Sequence, residues 1–315
     1  MTDITIKGAG IFGLSIAWAC VQRGASVQII DPGGAGAGSS GGVVGALAPH
    51  VPENWNPKKA FQLESLLMAE QFWGDVAKAG GKSAGYARTG RLQPIADAHA
   101  RALALRRVET AQGLWSDNAT WEVITAPLGH WEPASPDGHL IRDTLSAHIH
   151  PRQACDALVA ALLNAGVHIQ HDGPDKGAVL WATGVAGLEA LNARHTRTMG
   201  SGVKGQAALL RYDAAGLPQL FAGGVHVIPH LDGTVAIGST SENTYDDPTS
   251  TDPQLDNVIA AARAAVLALL SPTPAPVDEL VRQSGVAAAQ VASVLLDLEL
   301  EGVVVRHAGA RVALG

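Results

Sequence analysis

Cysteine is nearly absent: the 315 residues hold only Cys20 and Cys155. Neither has a partner at C-x-x-C or zinc-ligand spacing, which argues against a disulfide framework and a thiolate metal site. Both sit in apolar helical patterns and read as inert buried thiols, so a reducing, cytoplasmic location is expected. Charge is scarce too, at 16% of residues with a net −7. That balance argues against a general nucleic-acid binder, whose phosphate affinity comes from clustered Lys and Arg. No apolar run reaches the ~18–20 residues that cross a bilayer. Val258–Leu270 is too short and carries Arg263. The N-terminus lacks the basic stretch of a secretory leader, and glycines interrupt its apolar run. No Ser-His-Asp set or metal-ligand cluster competes for attention.

What is present is apolar and rich in glycine: 47% hydrophobic residues and 36 glycines. The chain is long enough for two or three domains with a sizeable core, and its composition is globular rather than disordered. The clearest pattern opens it. Asp3–Lys7 alternates like a short strand, and Gly8, Gly10 and Gly13 follow in G-x-G-x-x-G spacing. Leu14–Arg23 has helical periodicity and stops at Gly24; Ser26–Ile30 is a second strand ending in Asp31. Each part has a task in a dinucleotide site. Gly8 allows the tight turn, Gly10 lets the backbone approach a pyrophosphate, and Gly13 lets helix and strand pack closely. The helix N-terminus offers N–H groups and partial positive charge, and Ile11 and Phe12 in the turn before it are further cofactor-side candidates. Asp31 is placed to accept from ribose hydroxyls.

A small-residue tract follows at positions 32–50, PGGAGAGSSGGVVGALAPH. Ser40, Gly41, Gly45, Leu47 and Pro49 in this order resemble the A-S-G-x-x-x-G-x-L-x-P stretch of the D-amino-acid-oxidase-like superfamily. Glycine oxidases and the FAD domain of the bifunctional tRNA wobble-uridine modification enzyme are especially similar. The resemblance implies that this tract, with Ser39, runs along the FAD pyrophosphate toward the flavin ring. It continues in order to about residue 260. Tyr86–Ile95 resembles the entry into a substrate domain, and Pro151 opens a helix at its first position. The strand from Val167 to Gln170 is similar to one that sets a backbone group on the adenine. Ala178–Gly184 (AVLWATG) matches a second glycine signature, which places Ala182, Thr183 and Gly184 beside the adenosine half and favours FAD over NAD. Lys204-Gly205-Gln206 resembles an R-G-Q motif with lysine for arginine. Val225–Thr240 resembles a hairpin turning at Asp232-Gly233, with His226 in place of the usual tyrosine. Trp115, Trp121 and Trp131 fall in a middle region read as irregular, and ordinary packing is the reading favoured for each.

Beyond Asp252 the likeness breaks. The family segment that carries a carboxylate-binding arginine, written G-x-R-P, has no counterpart here. Its loss is expected to leave a strand edge and an apolar helix surface uncovered. Instead, a helix at Pro253–Leu270 and the break SPTPAP precede short helices at Val277–Ser284 and Ala287–Leu300 and a hairpin around Ala308-Gly309. Helix, helix-turn-helix and wing read as a winged-helix module, and Leu267–Leu314 resembles the C-terminal winged helix of the bacterial DNA-processing protein A. Its second helix carries Asp297 and Glu299 but no Lys or Arg, so packing or protein interaction is favoured over DNA contact.

The expected fold class is therefore α/β: a Rossmann-like FAD domain (1–80 and 140–200) with an inserted α+β substrate domain (81–139 and 201–252), plus a winged helix at 262–315. The expected function is FAD-dependent oxidation of an amine or amino acid by hydride transfer to flavin N5, in which the cofactor supplies the chemistry. His50, Arg91, Lys204 and His226 are the substrate-side candidates by motif position; no catalytic residue is assigned. Two other readings stand beside it: a non-catalytic FAD-binding or interaction protein with a winged-helix tail, and a two-gene chimera with a weak DNA-related role.

Overall fold

The computed structural model describes residues 2–126, 131–267, 275–276, 295, 299, 304–307 and 311–314. The chain opens with β1 (Ile4–Lys7), α1 (Ile11–Val21), β2 (Val27–Ile30) and the short β3 (Ala46–Leu47). Then come α2 (Pro57–Gly80), β4 (Arg91–Pro94), α3 (Ala98–Trp115), β5 (Trp121–Thr125) and β6 (His139–Asp143). They are followed by β7 (Ala147–His148), α4 (Pro151–Asn164), β8 (Ile169–Gln170), β9 (Ala178–Trp181) and α5 (Gly184–Arg194). The last part holds β10 (Ala207–Arg211), β11 (Gln219–Ala222), β12 (Val225–Pro229), β13 (Thr234–Gly238) and α6 (Gln254–Leu267). It closes with β14 (Ala275–Pro276), β15 (Val304–His307) and β16 (Arg311–Leu314).

Two sheets organise the described residues. The smaller is parallel, in the order β8-β2-β1-β9. α1 is apolar almost all round, as a helix must be when it is wedged between a sheet and another helix. Its Leu14, Ala17 and Trp18 meet Ile6 and Ile29 of the strands and Leu158, Ala161 and Leu162 of α4. α4 starts at Pro151, with the His150 side chain accepting from the Gln153 amide. α2 crosses α4 closely at Gly80, where a methyl group would stand 2.7 Å from the Ala161 nitrogen.

The larger sheet has seven strands in the order β10-β13-β12-β11-β4-β6-β5 and is antiparallel except at β4–β11. On one face Leu92, Leu220, Val227, Val235 and Ile237 form a core with Val258 of α6. The hairpin expected at Asp232-Gly233 is present as β12–β13, with Gly233 at φ +80. The middle region read as irregular is instead α3 and β5. α3 buries Ala104, Ala111 and Trp115; alanine favours helix strongly yet gives little hydrophobic contrast, so no clear period announces it. Trp115 and Trp121 pack edge to face, 6.1 Å apart, as core residues.

β9 closes one end of the small sheet with β1 as its sole strand partner among the described residues. Trp181 is 70% exposed there, and α5 buries none of its residues. Among the described residues a strand edge and a helix surface thus lie exposed here. At the C-terminus the expected hairpin is present as β15–β16, and β14 adds to it as a third antiparallel strand. The helices expected at Val277–Ser284 and Ala287–Leu300 lie outside the described residues, apart from the buried Leu295 and from Glu299, which pairs with Arg306 at 2.7 Å.

Candidate functional site

The glycine turn between β1 and α1 is packed as tightly as its spacing implies. Gly8 has φ +106, and a methyl group there would stand 2.3 Å from the Ala182 carbonyl oxygen. A methyl on Gly13 would lie 1.9 Å from the Gly8 carbonyl oxygen. These two glycines serve the meeting of β1, α1 and β9, whereas Gly10 has open backbone angles and meets only Ser40 Oγ, at 3.1 Å. α1 begins without a side-chain cap at Gly10 and without an acid in its first turn, so its positive end is left for an anion. Phe12, on that first turn, is 78% exposed.

The small-residue tract folds back over this turn. The Ile11 amide donates to Ser40 Oγ at 2.9 Å, and the Gly36 amide donates to the Ala9 carbonyl at 2.9 Å. Ser39, Ser40 and Gly41 form a single 3-10 turn, and Arg152 Nε donates to the Gly41 carbonyl at 2.6 Å. β3 pairs with β7, matching Ala46 with His148 and Leu47 with Ala147. Gly45 is pressed so close that a methyl would stand 1.8 Å from the Ile149 carbonyl oxygen. Asp31 accepts from the Ala9 amide at 2.6 Å through one oxygen and from Gly33 at 2.8 Å through the other. Val167 is buried beside β8, and Thr183 leads into Gly184, at φ +58, where α5 starts. The cofactor-side candidates thus lie on the turn, the tract and the end of β9, except Val167, which sits in the core beside β8. A helix start with no acid in its first turn, whose first amide is met by Ser40 alone, a backbone-lined cradle that excludes side chains and an exposed aromatic ring fit a dinucleotide with a flavin.

The substrate-side candidates divide. Strand register puts Asp143, Arg91 and Gln219 in one row and Phe221, His226 and Gly238 in the next, both on the face of the large sheet opposite α6. That face meets the tract, since His230 Nε2 donates to the Val43 carbonyl at 2.9 Å and a methyl on Gly238 would touch Val44 at 3.0 Å, and it meets β7 beside the tract, where Gln219 Nε2 donates to the Ala147 carbonyl at 2.8 Å. Arg91 and His226 therefore share one wall behind the tract. Arg91 is spent on a buried ion pair with Asp143, Nε to Oδ2 at 3.0 Å. The His226 ring packs tilted against Phe221, 4.7 Å between centroids, and its buried Nδ1 has no partner among the described residues. Burial, helped by the nearby Arg91 charge, lowers its pKa below the usual histidine range, so the ring is neutral at pH 7.

His50 and Lys204 lie elsewhere. The amide and ring of His50 both bond Gln62 Oε1 on α2. Lys204 is buried and pairs with Asp252 at 2.7 Å and Glu242 at 3.8 Å. Gln206 bridges the same two carboxylates at 2.8 Å each. The hydrogen bond to Asp252 raises the lysine, while Lys204 and Gln206 hold Asp252 down to about 2. This network ties Lys204-Gly205-Gln206 to the start of α6. Sequence reasoning passed over Gln219, His148 and His230, three fully buried polar side chains around the tract. His148 belongs to the HIH triplet ahead of Pro151, a pattern that does not by itself announce burial.

Comparison with known proteins agrees with this geometry. The family described as FAD dependent oxidoreductase (DAO) matches residues 3–288. No curated protein matches the chain. Among solved structures, glycine oxidase from Geobacillus kaustophilus superposes with a TM-score of 0.67 at 19% identity, over 83% of this chain and 77% of that one. Iminodiacetate oxidase from Chelativorans sp. BNC1 gives 0.67 at 21%, over 84% and 79%. L-alpha-glycerophosphate oxidase from Mycoplasma pneumoniae, solved with FAD bound, gives 0.63 at 14%, over 84% and 79%. At these identities the likeness is one of fold.

Proposed function

Since the chain belongs to the FAD dependent oxidoreductase family, we propose that it oxidises the C–H bond beside the nitrogen of a small amine or amino acid. The observation that carries this reading is the packing of the tract between the glycine turn of β1–α1 and the polar face of the large sheet. FAD, when bound, supplies the two-electron acceptor at N5. The residues that would hold it are Gly8, Gly10, Gly13, Asp31, Ser40, Gly41, Gly45 and the 182–184 turn. The α1 N-terminus offsets pyrophosphate charge, and the tract keeps side chains away from the cofactor. On the sheet face the neutral His226 ring offers an unpaired nitrogen to a substrate amine or carboxyl group, and Arg91 contributes a positive field with its charge pinned by Asp143. Two of the three solved relatives act on glycine or iminodiacetate by name, which supports a nitrogen-bearing acid as substrate class.

A second reading has its own observation. The bare β9 edge and the unburied α5 favour a protein that binds FAD without turnover, and the antiparallel β14–β16–β15 sheet supports a winged-helix tail over 262–315. Anaerobic addition of glycine, sarcosine, iminodiacetate or D-amino acids to the FAD-loaded protein separates the two. Bleaching of the flavin by one of them supports oxidation. A flavin that stays oxidised with all of them, yet is bleached by dithionite, refutes turnover on this class and leaves the binding role.

A further inference from the structure

Three buried imidazoles back the tract without serving any step described above. His148 lies on β7 opposite Ala46, His150 caps α4, and His230 follows β12. The His150 and His230 rings are 4.5 Å apart, and those of His148 and His230 6.4 Å. His148 is fully buried, and neither of its ring nitrogens has a partner among the described residues. His230 holds the tract directly through the Val43 carbonyl. The stack therefore joins the small-sheet side, through α4, to the large sheet and to the tract between them.

We propose that this histidine stack is a proton-sensitive latch, holding the tract in its FAD-binding form while the rings are neutral and loosening it when they take up protons. The inference rests on the FAD-binding reading of the tract. Charge around the stack offers little to a proton. Among the described residues His148 faces His230 and no carboxylate. His230 faces His150 and the Asp232 of its own turn. His150 has Asp232 at 3.8 Å, with Arg152 and Asp156 on its own helix. Asp232 already accepts from Gln153 at 2.9 Å and from Thr234. Burial lowers all three rings below the ordinary histidine range, His148 to about 4 with help from His230. The unfolded chain then binds more protons than the folded one. Stability is complete above the unfolded histidine value near 6.5 and falls as the pH drops toward about 4.

The test compares wild type with H148L, which removes the His148 titration at similar bulk, with H230Q, whose amide keeps a donor for Val43, and with the double variant H148L/H230Q. FAD affinity is read by flavin fluorescence from about pH 7.5 to about pH 5, and the urea midpoint of FAD-free protein is read at the same pH values. The latch predicts that wild-type affinity falls by about tenfold or more over this range, with the urea midpoint, and that the double variant falls about twofold or less. An equal decline in wild type and in the double variant overturns it. If H148L fails to fold, H230Q alone still has to flatten the profile. If wild type takes up no FAD at neutral pH, the cofactor reading fails, and the urea midpoints of the FAD-free protein still decide the latch.

Discussion

Replacing Gly10 by alanine should separate the fold from the cofactor. Gly10 sits at φ −75 and ψ −178, angles open to any residue, and the new methyl would meet only Ser40 Oγ at 3.1 Å. A hydroxyl can yield the few tenths of an ångström required. The smaller unfolded-state entropy of alanine stabilises by about 0.4–1 kcal/mol, so fold stability should change by about 1 kcal/mol or less. In FAD-free protein of this size that is a Tm shift of about 2–4 °C at most. The same methyl occupies the face that a pyrophosphate must approach, and FAD affinity should drop about tenfold or more, equivalent to about 1.4 kcal/mol. Gly13→Ala is the contrast: its methyl would lie 1.9 Å from a carbonyl oxygen, so β1 and α1 must separate at a cost of about 1–3 kcal/mol or more. FAD titration into stripped protein, with thermal unfolding of the same samples, reads both effects. Unchanged FAD affinity in G10A refutes the assignment, as does a loss that merely follows a falling Tm.

Two further substitutions probe the sheet face. Arg91→Met leaves the fully buried Asp143 carboxylate without its partner and should cost about 3–5 kcal/mol in urea unfolding. An unchanged midpoint would show that Arg91 is free to hold substrate instead. His226→Phe keeps a ring packed against Phe221 but removes the unpaired nitrogen. With FAD retained, kcat/KM on the best amine should fall by about tenfold or more, the loss of a buried hydrogen bond; an unaltered value removes His226 from the site.

How much of this was written in the sequence depends on the range of the signal. The β1–α1–β2 unit is local: glycine spacing, apolar strands and Asp31 all lie within a short stretch, and each is matched by backbone geometry. The β12–β13 hairpin was legible for the same reason, since Asp232-Gly233 specifies a turn by itself. α3 was not, because its buried stripe is alanine and carries no contrast. The substrate face was legible only in part. Arg91 and His226 come together because β4 and β12 are both neighbours of β11, a long-range fact that motif order does not encode. Lys204 shows the converse: a cation at a plausible motif position is claimed by Glu242 and Asp252 from a distant segment. The buried histidines escaped notice because nothing in HIH distinguishes a solvated triplet from two rings packed against a third contributed by another sheet.

The central claim is that the glycine turn and the tract form an FAD site, and its most direct test is the visible absorbance spectrum of the protein after incubation with FAD and gel filtration. The account predicts flavin bands travelling with the protein at about one cofactor per chain, abolished by acid or by Gly13→Ala. Folded protein that emerges colourless at neutral pH would contradict it.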